Sequence, residues 1–254
     1  GVEVRFIRNY KGQLRLADVE NLMDHRTKVL SLSFVEAGNG FKNDLMALSR
    51  LCKENRTYFV VDAIQGIGVH PLDVKEIGID FLVSGFYKWL FGPDGLAFIY
   101  CSEKILEHLH TPFVGWASMK HKFQYTEYLY NLHPSARRWE LGNMNFSAIQ
   151  GAGKALDLIE ELGVWRIYER VMDLTNYLRK GLKRIPSVRC LSEFPKENLS
   201  QITLIDCPNV SKVFSKLVQQ KIIVNQRNGL RISPHFYNTQ EELDRFLEVL
   251  ENSI

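Results

Sequence analysis

Cysteine is scarce and dispersed in this 254-residue chain. Cys52, Cys101, Cys190 and Cys207 never form a CxxC pair or a Cys/His ligand spacing. This excludes a zinc cluster of ordinary spacing and a dense disulfide framework, so no metal site is expected and a reducing, cytoplasmic setting fits best. Long hydrophobic runs are missing as well. The strongest, Leu96 to Cys101, is the length of a strand, far short of the ~20 residues that cross a bilayer, and no membrane partner is expected. Charge of one sign is not in excess either. Thirty-two Lys and Arg against 29 Asp and Glu leave +3, too little to mark a nucleic-acid or membrane footprint, so the expected partner is small. Seventeen glycines and eight prolines exclude fibrous and low-complexity classes. No GxGxxG or GxxxxGK[ST] loop occurs, and Gly66 and Gly68 satisfy neither pattern, which weakens a nucleotide-binding reading.

What is present is an alternation of strand-like and helix-like runs. Val2 to Ile7 alternates apolar and charged residues like a half-buried strand, so the chain is expected to start inside structure. An amphipathic stretch with Leu16, Val19, Leu22 and Met23 follows, then an apolar run from Val29 to Phe34. Leu45, Leu48, Leu51 and Cys52 repeat at helical spacing. Tyr58 to Val61 reads as a parallel strand covered on both faces, and Phe81 to Val83 and Leu96 to Tyr100 complete the set. The pattern predicts an α/β fold, a mostly parallel sheet with helices on both faces. After a poorly periodic segment from Thr111 to Trp139, helices are predicted from Phe146 to Leu162, with Asn145 as N-cap, and along Val164 to Leu182. Short strands at Val188–Leu191, Gln201–Ile205, Ile222–Val224 and Leu230–Ile232 then interleave with helices at Val210–Gln219 and Gln240–Glu251. These predict a smaller C-terminal α+β domain closely packed on the first part.

Polar residues cluster where strands should end. Asp62 and Gln65 follow the apolar run Phe59-Val60-Val61, and the carboxyl ends of parallel strands line the ligand crevice. Lys88, in Ser84-Gly85-Phe86-Tyr87-Lys88-Trp89, belongs to the mouth of a neighbouring strand. Desolvation among aromatic rings lowers a lysine pKa toward the range where the neutral amine attacks carbonyls. Taken alone, Lys88 reads more commonly as a surface lysine stretched along apolar neighbours, and Asp62 as a helix or turn cap.

Together, VDAIQG (residues 61–66) and GFYKWLFGPDG (residues 85–95) resemble the class V aminotransferase family of pyridoxal phosphate enzymes, which includes cysteine desulfurases and isopenicillin N epimerase-like proteins. Arg138-Trp139-Glu140-Leu141-Gly142-Asn143-Met144-Asn145 and Leu230-Arg231-Ile232-Ser233-Pro234-His235-Phe236-Tyr237-Asn238-Thr239 extend the likeness in the same order. The resemblance implies pyridoxal 5'-phosphate as cofactor and Lys88 as its Schiff-base lysine and proton carrier. It implies that Asp62 meets the pyridinium nitrogen, Gln65 the phenolic oxygen, and Ser84, Tyr87 and Asn143 the phosphate. Arg231 would hold the carboxylate of an amino-acid or amine substrate; outside the motif it would read as an ordinary ion-pair residue. The Asn143 contact commonly crosses to a partner subunit, implying a homodimer with a shared site. Residues 1–145 would then be the remainder of the cofactor-binding large domain, and 146–254 the connecting helices and small domain.

The likeness covers the later two-thirds or so of a family member. The earlier part normally supplies a Ser/Thr-rich phosphate turn and a ring that stacks on the cofactor. The expected function is therefore an aminotransferase-like or epimerase-like enzyme, with a truncated, non-catalytic dimerising fragment as the alternative. A cysteine desulfurase is less favoured, because Val224-Asn225-Gln226-Arg227-Asn228-Gly229 contains no cysteine where that chemistry needs one, and Cys190 and Cys207 read as inert core thiols. Glu36-Ala37-Gly38-Asn39-Gly40 lies where the family often places a residue near substrate, but the sequence assigns it no role.

Overall fold

The computed structural model describes every residue except Tyr125 and Tyr128. The first half builds α1 (Leu16–Leu22), β1 (Val29–Ser33), α2 (Leu45–Glu54), β2 (Tyr58–Asp62), α3 (Val74–Ile77), β3 (Phe81–Gly85), β4 (Ala97–Cys101) and α4 (Glu103–Leu106). Its four strands lie in the order β1-β2-β3-β4. β1, β2 and β3 are parallel, with Val29 opposite Tyr58 and Val60 opposite Phe81; β4 returns antiparallel, with Cys101 opposite Phe81. The α/β class and the mostly parallel sheet therefore stand. Strand periodicity sends Leu30, Leu32, Phe59, Val61 and Leu82 to one face, where they bury against Leu45, Leu48, Leu51 and Cys52 of α2. Asp44 starts that helix by accepting the Ala47 N–H at 3.0 Å.

Two local expectations fail. Val2 to Ile7 forms no strand: Val2, Val4 and Phe6 stand 92%, 67% and 84% exposed, and no described strand pairs with the segment, so its alternation has no ladder to enter. Only Ile7 packs onto the core. The run Tyr58 to Val61 is covered fully on one face alone, since Tyr58 and Val60 on the other remain part-exposed.

The second half begins with two long helices, α5 (Phe146–Leu162) and α6 (Val164–Leu182), broken by Gly163 and bounded as expected. Asn145 caps α5 by accepting the Ala148 N–H at 3.0 Å. Next come β5 (Arg189–Cys190), β6 (Thr203–Asp206), α7 (Val210–Gln219), β7 (Asn225–Arg227), β8 (Gly229–Ile232) and α8 (Gln240–Glu251). These strands form a separate antiparallel sheet in the order β5-β6-β8-β7. The strand expected at Ile222–Val224 falls three residues later, at Asn225–Arg227. The apolar residues Ile222 and Val224 pack on the core instead, while polar residues pair at the sheet edge. Leu174, Leu178, Leu182, Ile205, Leu217, Leu230 and Leu250 fill the second core.

The two sheets meet through polar contacts. Ser200 Oγ donates to Gly40 O at 2.6 Å, and Asn198 and Lys42 exchange two bonds of 2.8 and 2.9 Å. Among the described residues, no helix is long and apolar enough to cross a membrane.

Candidate functional site

The parallel strands deliver their carboxyl ends to one edge. β2 ends on Asp62, whose Oδ1 accepts the Ile64 N–H at 2.9 Å and so turns the chain sharply out of the sheet. β3 carries Ser84 and ends on Gly85, three residues before Lys88. Because β4 returns antiparallel from the same edge, the connection at 86–96 bearing Lys88 lies over the strand ends. Gly68, at φ +86°, lets the β2 loop press against the backbone of Trp89; a β-carbon there would overlap the Trp89 carbonyl. The β2 loop and the Lys88 loop are thus locked together.

Gln65 is buried, and its side-chain oxygen accepts the Trp89 indole N–H at 3.1 Å. Its amide nitrogen is left as a donor. A relay runs on to the second half: the Gln65 carbonyl accepts from Gln201 Nε2 at 2.6 Å, and Gln201 Oε1 lies 2.9 Å from His70 Nε2. Burial pulls His70 down to about 4, so the imidazole is neutral at physiological pH. Trp89 stacks on His235 at 4.8 Å and 10°, which joins the loop after Lys88 to the motif at 230–239.

Lys88 is half-buried, 5.8 Å from the Tyr87 ring centre. Burial lowers its pKa below the ordinary lysine value. The positive charge of Arg231 lowers it further, Asp62 opposes, and Arg227 adds to the drop. Arg231 comes from β8 and reaches across to the other sheet, donating to Ala37 O at 2.7 Å; its Nε is buried without a partner. Burial first, then Arg227, pulls the Arg231 pKa down. The turn between β7 and β8 depends on Gly229 at φ +136°, where a β-carbon would overlap Ile205 O.

The structure therefore gathers Lys88, Asp62, Gln65 and Arg231 at one edge of the parallel sheet. It adds two residues that sequence analysis left without a role. Glu36, beyond the end of β1, accepts from Asn43 Nδ2 at 3.0 Å; burial raises its pKa, Asn43 draws it back, and the charge of Asp62 raises it again. The positive charge of Arg227 acts on both Lys88 and Arg231. Only their positions beside the family-like motif could have flagged either one.

Ser84 is buried in β3 with its hydroxyl donating to Gly85 O at 3.0 Å, and Tyr87 is about half exposed. Asn143 is exposed, and no hydrogen bond or ion pair among the described residues links it to this cluster. Arg138 binds the backbone carbonyls of His133 and Leu106 at 3.0 and 3.2 Å, a structural task. Burial raises the pKa of all four cysteines, Cys52 to about 12.

Comparison with known proteins gives a consistent picture. A probable cysteine desulfurase of Methanothermobacter thermautotrophicus is 25% identical over 99% of this chain and 67% of its own length. An uncharacterized aminotransferase of Bacillus subtilis is 28% identical over 94% of the chain and 63% of its own. The apo structure of a cysteine desulfurase from Thermococcus onnurineus superposes with a TM-score of 0.88 at 24% identity, covering 98% of this chain and 65% of that one. The chain thus spans about two-thirds of the length of these relatives. The family model for class-V aminotransferases matches residues 1–246, and on that match this chain belongs to the class-V aminotransferase family.

Proposed function

We propose that the chain is the greater part of a pyridoxal phosphate-dependent enzyme of the class V aminotransferase type, acting on an amino-acid substrate through Lys88. The observation that carries this reading is the cluster at the strand ends. Among the described residues, Lys88, Asp62 and Arg231 converge with no ion pair between them, beside a Gln65 amide nitrogen left free to donate. Charged groups held together and left unpaired suit a polar, anionic ligand that completes them. Pyridoxal phosphate supplies, when bound, a carbonyl carbon reactive to amines and a ring that withdraws electrons from the substrate α-carbon.

Each residue then has a task suited to its chemistry. Lys88, its pKa lowered below the ordinary lysine value, gives up its proton more readily than a free lysine and carries the proton to and from the substrate α-carbon. Asp62 keeps one oxygen beyond its bond to Ile64 N–H to accept from the pyridinium nitrogen. Gln65 donates its amide to the phenolic oxygen. Ser84 and Tyr87 offer hydroxyls to the phosphate, and Arg231 grips the substrate carboxylate with a fork whose Nε is still unpartnered. Asn143, exposed and remote in contact terms, fits a contribution to the site of a second copy in a homodimer.

Sulfur abstraction, the activity in several relatives' names, is the second reading. It needs a thiolate near substrate, whereas every cysteine here has its pKa raised by burial and none lies on the β7–β8 turn.

The test is to treat the purified chain with pyridoxal phosphate, reduce with borohydride and map the peptides. One adduct on Lys88 is expected. Lys88→Ala should lose it while keeping its urea midpoint, because a half-exposed lysine contributes little packing. A folded wild-type chain that forms no adduct at Lys88 would overturn the reading in favour of a non-catalytic fragment.

A further inference from the structure

The cluster around Lys88 holds more cation than one substrate carboxylate requires. β7 and β8 pair antiparallel with Asn225 opposite Arg231 and Arg227 opposite Gly229. Strand alternation therefore sets Asn225, Arg227 and Arg231 on one face of the hairpin, with the two arginines as diagonal neighbours. Arg227 Nε donates to Asn225 Oδ1 at 3.1 Å, a neutral partner on that same face. Arg231 donates to a backbone carbonyl. Among the described residues neither guanidinium makes an ion pair, and the charge of each bears on Lys88. Two adjacent like charges oppose each other, and an anion arriving between them gains from both.

The space beside Arg227 suits a small molecule. A cavity of about 550 Å³ lies between the segment around Gly12, the Glu36–Asn39 loop and the β7–β8 turn, with Arg227 and Asn228 in its wall. Asn39 closes one side by donating to Gly12 O at 2.6 Å. Glu36 also lines this cavity, with its carboxyl engaged by Asn43. Arg231 comes up from the adjoining strand to donate to the Ala37 carbonyl, between Glu36 and Gly38 of the cavity wall.

We propose that Arg227 receives a second anion, at the end of the substrate side chain, so that the site selects a short acidic amino acid over its neutral amide. This rests on the reading of the cluster as an amino-acid site with Arg231 on the α-carboxylate. The groups assigned to the cofactor phosphate, Ser84 and Tyr87, stand at the end of β3, whereas Arg227 shares a hairpin with the substrate arginine. A second substrate anion is therefore the better match for it.

Succinate and its monoamide, succinamate, are inert probes that differ only in the second charge. Titrated calorimetrically into the pyridoxal phosphate-treated chain, succinate should bind at least ~10-fold more tightly than succinamate, the scale of one charge-assisted bidentate contact. Arg227→Gln should erase that gap and leave succinamate affinity unchanged. Arg227→Lys should restore part of it. Arg227 lies exposed at a turn, so both variants are expected to keep the wild-type urea midpoint. Equal affinities in the wild type, or a gap that survives in Arg227→Gln, overturns the proposal. So does an Arg227→Gln variant that weakens pyridoxal phosphate uptake while keeping the gap, which would move Arg227 to the phosphate. Borohydride mapping of the same samples separates the two levels of failure. An adduct on Lys88 without a succinate gap removes only the acidic preference, whereas no adduct on Lys88 removes the cofactor reading itself.

Discussion

The two sheets of this molecule do opposite things with the same hydrophobic pattern. The second sheet closes on itself: helices α6, α7 and α8 cover it, and Leu174, Leu230 and Leu250 are wholly inaccessible. The first sheet buries one face against α2 and leaves Val29, Tyr58, Val83 and Ile99 partly exposed on the other, with Val2, Val4 and Phe6 exposed before it. Its strand ends carry Asp62, Ser84 and the Lys88 loop, while the second sheet contributes only the face of one edge hairpin, Arg227 and Arg231. Stability and chemistry are divided between the sheets. The self-contained core acts as the rigid support from which two arginines reach over a polar, less completely covered edge.

That division predicts where substitutions hurt most. Leu230→Ala removes a fully buried side chain from the second core and should cost ~2–5 kcal/mol, as large-to-small core changes do. Val83→Ala, on the open face of the first sheet, should cost far less. Urea midpoints of the two variants compare the sheets directly, and equal losses would break the contrast.

The junction should give way to acid. His70 sits at about 4 in the fold against 6.5 for a free imidazole, because burial disfavours its charged form. Between those values the unfolded chain takes up a proton that the folded chain refuses, so stability is present above 6.5 and is lost as pH falls toward 4. From pH 7 to pH 5 this one residue should remove about 2 kcal/mol. His70→Gln should flatten that part of the pH profile in urea unfolding; an unchanged slope would mean that the relay through Gln201 does not hold the two halves together.

Much of this was legible in the sequence because it is local. α5, α6, α7 and α8 lie where apolar spacing predicts them, and Asn145 caps α5 as expected. Asp62 and Lys88 are positioned by strand ends, which short apolar runs mark well. What stayed hidden depends on partners distant in sequence. Whether Val2 to Ile7 is a strand depends on a neighbour to pair with, and alternation alone does not supply one. β7 sits on Asn225–Arg227 because its apolar flank was needed in the core. The Arg231 bond to Ala37 spans 194 positions, and the diagonal of Arg227 and Arg231 exists only once the hairpin register is set.

The smallest effect separates two asparagines that lie two residues apart in the sequence. Asn145 accepts from Ala148 N–H and is, among the described residues, the one side chain capping α5, whereas α8 begins with a reciprocal pair, Thr239 and Glu242, bonded at 3.0 and 3.3 Å. Asn145→Ala leaves the first turn of α5 with an unmet amide and should cost ~1 kcal/mol, with most of the loss recovered in Asn145→Asp. Asn143→Ala, two residues earlier and exposed, should cost nothing measurable in thermal unfolding. The pair bears on the active edge because Gly151, in the second turn of α5, faces Pro93 of the loop after Lys88, where a β-carbon would lie 3.6 Å from the proline ring. A frayed α5 would therefore loosen the Lys88 loop from behind. Slower borohydride-trapped labelling of Lys88 in Asn145→Ala, with Asn143→Ala at the wild-type rate, is the expected signature; equal rates in both would confine the cap to stability alone.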